Sequence, residues 1–376
     1  MNYSQRQIEL NAQFQLGIDT HLSGSDIDIR FFSFTSSALG SFSDKELISP
    51  EDKNIAENLS FTYPVFIARE TKQANKAILL LHGLNERNWS KYLTWAEYLC
   101  KETGKAVILF PIAFHMNRSP ITWSNPRALQ NLMDLRRKNN GEDRSLSFAN
   151  VALSERICEK PSRFYSSGRQ SINDLAQLFS DIKQGIHPLF TENTQIDIFS
   201  YSIGAFLSQI TVMTNPNGLF SDSKLFMFCG GGIFSSMFGE SRSIMDRSAF
   251  ARLLQYYMTD FSKEVKPNSI TDKIYDSFFS MITPDRKKTE REQFFKQLGN
   301  RIEGISLKKD KVIPYCGVVE ALGTENAKSR ISLLDFSFPY SHENPFPLGN
   351  RLKLEEVAEV DASFNRIFGQ AAQFLA

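Results

Sequence analysis

Residues 197–206 read DIFSYSIGAF, with the chain running from an apolar stretch straight into another apolar stretch through a serine at 202. Upstream, QIDIFS has the unbroken apolar character of a strand buried on both faces; downstream, IGAFLSQITVMT has that of a buried helix. A strand that becomes a helix within one residue must turn sharply and bring its backbone close to neighbouring elements. Residues two before and two after the turning point must then be small. Here they are Ser200 and Gly204, with Ala205 next.

Working outward, the same alternation repeats. KAILLLHGLNERN (76–88) is a buried strand stopped by glycine, SKYLTWAEYLCKETG (90–104) a helix closed by Gly104, and KAVILFP (105–111) a strand ended by proline. SINDLAQLFSDIKQGI (171–186) is an amphipathic helix for which Ser171 is the expected N-cap. SKLFMFCGGG (223–232), NRIEGISLKKDKVIP (300–314) and RISLLDFSF (330–338) supply three more strands. Pro314 suits the first turn of the next helix, and LEEVAEVDASFNRIFGQAAQFL (354–375) is a closing helix. Ahead of Lys76, DIDIRFFSFTS (26–36) and LSFTYPVFIARE (59–70) alternate like half-buried edge strands, with polar, turn-rich SDKELISPEDKNIAENL (43–59) between them.

Strands alternating with helices predict an α/β fold, a mainly parallel sheet covered by helices on both faces. The expected division is an N-terminal segment 1–75 carrying edge strands and a core 76–376. Two stretches break the series, 112–167 and 233–299, the latter rich in helical spacing (DRSAFARLLQYYMTDF, ITDKIYDSFFSMI, DRKKTEREQFFKQL). Both leave carboxyl ends of strands, the edge where open α/β sheets bind ligands, and together they predict a helical cap or lid over a pocket.

Composition narrows the function classes. The 376 residues carry 43 basic and 42 acidic side chains, a net charge of +1, which gives no bulk field for nucleic acid or an anionic membrane. Four scattered cysteines (Cys100, Cys158, Cys229, Cys316) have no zinc-site spacing and read as reduced thiols, and no metal is expected. The opening MNYSQRQIELNAQFQLG lacks the pattern of a signal peptide, and no apolar run reaches membrane-spanning length, so a cytoplasmic protein is expected. The 32 phenylalanines fit either an ordinary core or an apolar pocket. The glycines of CGGG open no G-x-G-x-x-G helix; they suggest relief of crowding beside the pocket rather than a dinucleotide site.

With its strand–S-x-S-x-G–helix junction, the chain from about Lys76 onward resembles the α/β-hydrolase superfamily, Ser200 standing where glycine is more usual. That family carries a nucleophile after its fifth strand, an acid after its seventh and a histidine after its eighth. The resemblance therefore implies Ser202 as nucleophile and Asp310, four residues before Pro314, as the acid, with Asp335 in SLLDFSF as the other candidate. Of five histidines only His342, in FPYSHENPF, follows the last strand, and the resemblance makes it the base; His21, His82, His115 and His187 lie elsewhere. The backbone amides of Leu84 and Ile203 would form the oxyanion hole, with His82 a structural brace. Asn85, Glu86, Arg87 and Trp89 fit either a loop-stabilising network or substrate recognition.

What the resemblance implies is acyl transfer to water through an acyl-enzyme, without a cofactor, on a small-molecule ester or related acyl substrate, carboxylesterase- or lipase-like. A peptidase or acyltransferase would use the same residues. Ser200 and the HGLNER loop leave a second class open, a hydrolase-like binding protein without chemistry, and the long insertions a third, a module that binds a partner protein.

Overall fold

The computed structural model describes residues 2–37, 51–269, 271–349 and 352–376. Their strands are β1 (Thr20–His21), β2 (Ile27–Thr35), β3 (Ser60–Ala68), β4 (Ala74–Leu81), β5 (Ala106–Leu109), β6 (Phe190–Tyr201), β7 (Leu225–Phe228), β8 (Ile302–Leu307) and β9 (Ile331–Leu334). They form one sheet in the order β1-β2-β3-β5-β4-β6-β7-β8-β9. β1, β2, β3 and β5 pair antiparallel in turn, and every pair from β5 through β4 to β9 is parallel.

Strand periodicity sends alternate side chains to two separate cores. On β4, Ala77, Leu79 and Leu81 face helices Arg163–Lys183 and Ile203–Thr214, while Ile78 and Leu80 face helices Ser90–Thr103 and Leu354–Leu375. That division is why the central strands read as unbroken apolar runs: both faces are dry. The fold is α/β, a mainly parallel sheet with helices on both faces. Setting aside the two-residue β1, Ser202 follows the fifth strand, Asp310 the seventh and His342 the eighth, all at the carboxyl edge of the parallel strands. No helix among the described residues is long and apolar enough to cross a membrane.

The helix expected to start at Ser171 instead begins at Arg163. Ser171 is buried inside it, its hydroxyl donating to Ser167 O (2.8 Å) and accepting from the Ala113 amide (3.0 Å). The early start follows from packing: Tyr165 meets Phe261 and Phe278 edge-on and outweighs the weak helix formers Ser166, Ser167 and Gly168. Pro314 stands at the N-cap of helix Tyr315–Leu322, one position ahead of the first turn. A helix without a counterpart in the sequence reading, Tyr3–Gln13, covers the outside of the second core, where Tyr3 stacks on Phe364 at 4.3 Å. Part of the turn-rich 43–59 segment, residues 43–50, lies outside the described residues.

Candidate active site

Ser202 is the single residue between β6 and helix Ile203–Thr214, and it is held at φ 57°, ψ −123°. A non-glycine residue in that region is strained by about 1–3 kcal/mol, and here the surroundings enforce it. The Ser202 amide donates to Phe228 O at 3.2 Å. A Cβ on Gly204 would come within 2.8 Å of the carbonyl oxygens of Leu81 and His82. One on Gly230, in the CGGG stretch, would come within 2.5 Å of Ala205 Cβ and 2.8 Å of Ser202 O. The glycines thus let two strand ends close around the turn. Ser200 fits where glycine is usual because it is fully buried with its hydroxyl donating to Phe226 O at 3.3 Å.

His342 reaches this turn from the loop after β9. Its Nε2 lies 2.7 Å from Ser202 Oγ and its Nδ1 2.8 Å from Asp310 Oδ2. The second oxygen of Asp310 accepts the amides of Val312 and Ile313, each at 2.9 Å, so the loop after β8 fixes the carboxylate plane. With Nδ1 donating to a carboxylate, Nε2 is left as an acceptor for the serine hydroxyl. Tyr201 adds two supports from the residue before Ser202: its ring stacks on the imidazole (5.6 Å, 17°) and its hydroxyl donates to His342 O. The sequence carries no signal for that contact, because it joins residues 141 positions apart. All three side chains are nearly inaccessible, with Ser202, Asp310 and His342 each 4% exposed. Asp335 is not part of the cluster; it is exposed and bonds Tyr340 Oη (2.8 Å) and Lys309 Nζ (3.2 Å).

The amides of Leu84 and Ile203 donate to no other group among the described residues. The loop carrying Leu84 is braced from several sides. His82 Nδ1 donates to Gly83 O (2.8 Å) while Nε2 accepts the Ile112 amide (2.9 Å), which requires a neutral ring tying the β4 loop to the β5 loop. Tyr92 Oη accepts the Gly83 amide (2.9 Å) and donates to Glu86 (3.0 Å), which also holds Lys91 at 2.5 Å. Asn85, at φ 62°, donates to Ala149 O (2.8 Å) and Ser243 O (2.7 Å), and Arg87 to Trp123 O (2.7 Å). These contacts make LNERNW a network that ties the loop to both intervening segments.

The remaining histidines are placed apart from the serine. Burial pushes His82 and His115, whose rings are 5.3 Å apart, down to about 3, with Lys91 and Arg118 adding to the effect at His82. His187, bonded to Tyr63 Oη at 2.8 Å, is lowered by burial to about 4, and His21 pairs with Asp28 at 2.7 Å. A folded-state value below the unfolded value of about 6.5 means that unfolding takes up protons in acid. The stability from keeping these rings neutral is complete above about pH 6.5 and is lost as pH falls toward their folded values. Each ring contributes up to about 1.4 kcal/mol per pH unit in that window. Urea unfolding at pH 7 and pH 5 is expected to show a loss of about 2–4 kcal/mol from His82 and His115; equal stability at the two pH values would contradict their neutral burial.

Beside the turn lies a cavity of about 1050 Å³, including the space at its opening. One wall is a single face of the helix after Ser202, formed by Ile203, Phe206, Leu207 and Ile210. The opposite walls come from the segment after β5 (among them Trp123, Leu153 and Phe164) and the segment after β7 (Met245, Ile274 and Phe278). Leu84 and Ile203, which carry the two free amides, both line it.

A sequence model described as "Family of unknown function (DUF6051)" matches residues 1–376. No curated protein matches the chain in sequence. Among solved structures it is similar to carboxyl esterase 2 of the fungus Tuber melanosporum, at 9% identity over 99% of this chain and 97% of that one, TM-score 0.44. It is also similar to an esterase of the archaeon Pyrobaculum calidifontis, at 12% identity over 98% and 90%, TM-score 0.41. A third is a thermostable esterase of Pseudomonas putida, at 9% identity over 100% and 88%, TM-score 0.41. At such identities and scores these likenesses assign no chemistry to this chain.

Proposed function

The chain belongs to DUF6051, a family whose description names no chemistry, and from the geometry of its own residues we propose that it is a serine hydrolase acting on an ester or related acyl bond. One observation carries the reading: a continuous hydrogen-bonded series Asp310–His342–Ser202 beside two backbone amides that have no other acceptor among the described residues. Ser202 Oγ attacks the acyl carbon while His342 Nε2 takes its proton. The carbonyl oxygen gathers negative charge against the Leu84 and Ile203 amides. His342 then passes the proton to the departing alcohol oxygen, leaving the acyl group on Ser202. A water repeats the sequence: its oxygen bonds to the acyl carbon, His342 takes its proton, and Ser202 leaves with that proton as the free hydroxyl. Asp310 keeps Nδ1 protonated throughout and offsets the imidazolium charge.

Segments 112–167 and 233–299 serve as the cap over the acyl pocket, and the apolar cavity wall supports a carboxylesterase- or lipase-like substrate with an apolar acyl body. The test is turnover of a short neutral p-nitrophenyl ester. Release of p-nitrophenolate that disappears in Ser202→Ala supports the reading, whereas none from the wild-type protein returns the non-catalytic alternative.

A further inference from the structure

The apolar cavity contains a charge imbalance. Its charged lining residues are Arg87, Arg156, Arg163 and Arg169 against Glu86 alone, and Glu86 is already engaged by Lys91. Asp272 answers Arg169 at 2.8 Å. Asp52 is shared, one oxygen on Arg156 Nη1 (2.9 Å) and the other on Arg163 Nε (2.8 Å). The other acids near Arg163, Glu159 and Glu51, are largely exposed, where water weakens them. Among the described residues Arg87 has no carboxylate partner and donates only to neutral oxygens, those of Trp123, Ser124, Asn85 and Ala149. Burial accordingly lowers Arg87 to about 10, and it also lowers Arg156 despite Asp52.

Arg156 has the geometry of an unfinished site. Its guanidinium stacks on the Trp123 indole at 4.1 Å and is fixed through Nη1 by Asp52. The Nε–Nη2 edge, two parallel N–H donors, has no partner among the described residues and is not sealed from solvent. A planar fork of this kind matches a carboxylate bidentately. Resting on the hydrolase reading, we propose that the acyl group of the substrate ends in a carboxylate that docks on the free edge of Arg156, its charge also balancing Arg87. The carboxylate is placed on the acyl side because that half of the ester stays bound to Ser202 after the alcohol has left.

The experiment compares kcat/KM for p-nitrophenyl hydrogen adipate, whose far end is a carboxylate, with that for p-nitrophenyl hexanoate, whose far end is a methyl group. A charge-assisted bidentate pair gives the wild-type enzyme a preference of about 10- to 100-fold for the adipate. Arg156→Gln is expected to bring that ratio down about tenfold or more. If Arg156→Gln does not fold, Arg156→Lys, which keeps a cation for Asp52 but not the fork, is read the same way. Equal rates or a preference for hexanoate in the wild-type enzyme would overturn the proposal, as would an adipate preference that survives loss of the fork. Capture of Ser202 by an uncharged phosphonate is measured alongside; it reports the hydrolase reading independently of substrate charge.

Discussion

Ser202→Ala is expected to lower kcat by about 10⁴- to 10⁶-fold, the loss seen when the nucleophile of a cooperating triad is removed. The alanine leaves His342 and Asp310 in place but gives Nε2 nothing to deprotonate, and the amides of Leu84 and Ile203 are left to act on uncatalysed attack by water. A companion variant separates chemistry from backbone strain. Alanine at φ 57° is as strained as serine, whereas glycine is not. Ser202→Gly, equally inactive, is therefore expected to be more stable than Ser202→Ala by about 1–2 kcal/mol in urea unfolding. Equal stability of the two would remove the argument that the turn stores strain to present the hydroxyl.

Asp310→Asn is expected to lower kcat by about 10³- to 10⁴-fold with little change in KM. The direction follows from where the two carboxylate oxygens go. Oδ1 accepts two backbone amides, so an asparagine must place its own oxygen there and turn its NH₂ group toward His342. That group donates, so Nδ1 must become an acceptor, and the single proton of the neutral ring moves to Nε2, facing Ser202. The base is then present in the wrong tautomer. Stopped-flow turnover of a p-nitrophenyl ester measures the loss, and a decrease below about tenfold would show that Asp310 neither selects the tautomer nor stabilises the cation.

Much of this arrangement is written in local sequence because its physical demands are local. Buried parallel strands need unbroken apolar runs, so KAILLL, KAVIL and QIDIF stand out, and a tight strand-to-helix turn needs Gly204. The small residue at 200 is legible for the same reason, though not the hydrogen bond to Phe226 that makes serine acceptable there. What is not legible depends on contacts between distant segments. Ser171 has the chemistry of a cap, yet aromatic packing of Tyr165 carries the helix past it toward Arg163. Tyr201 looks like one more apolar strand residue until β9 delivers the His342 carbonyl to its hydroxyl. Nothing local marks Arg156; only the meeting of two segments separated by more than a hundred residues gives it Asp52. Trp123, which it covers, lies in a third stretch, the 3₁₀ turn Ile121–Ser124.

The cluster itself is best tested by exposing the protein to an uncharged alkyl p-nitrophenyl phosphonate and mapping the adduct by peptide mass spectrometry. One adduct per chain is expected, on the peptide containing Ser202, and none in Ser202→Ala. An unmodified wild-type protein, or an adduct that persists without the hydroxyl at 202, would contradict it.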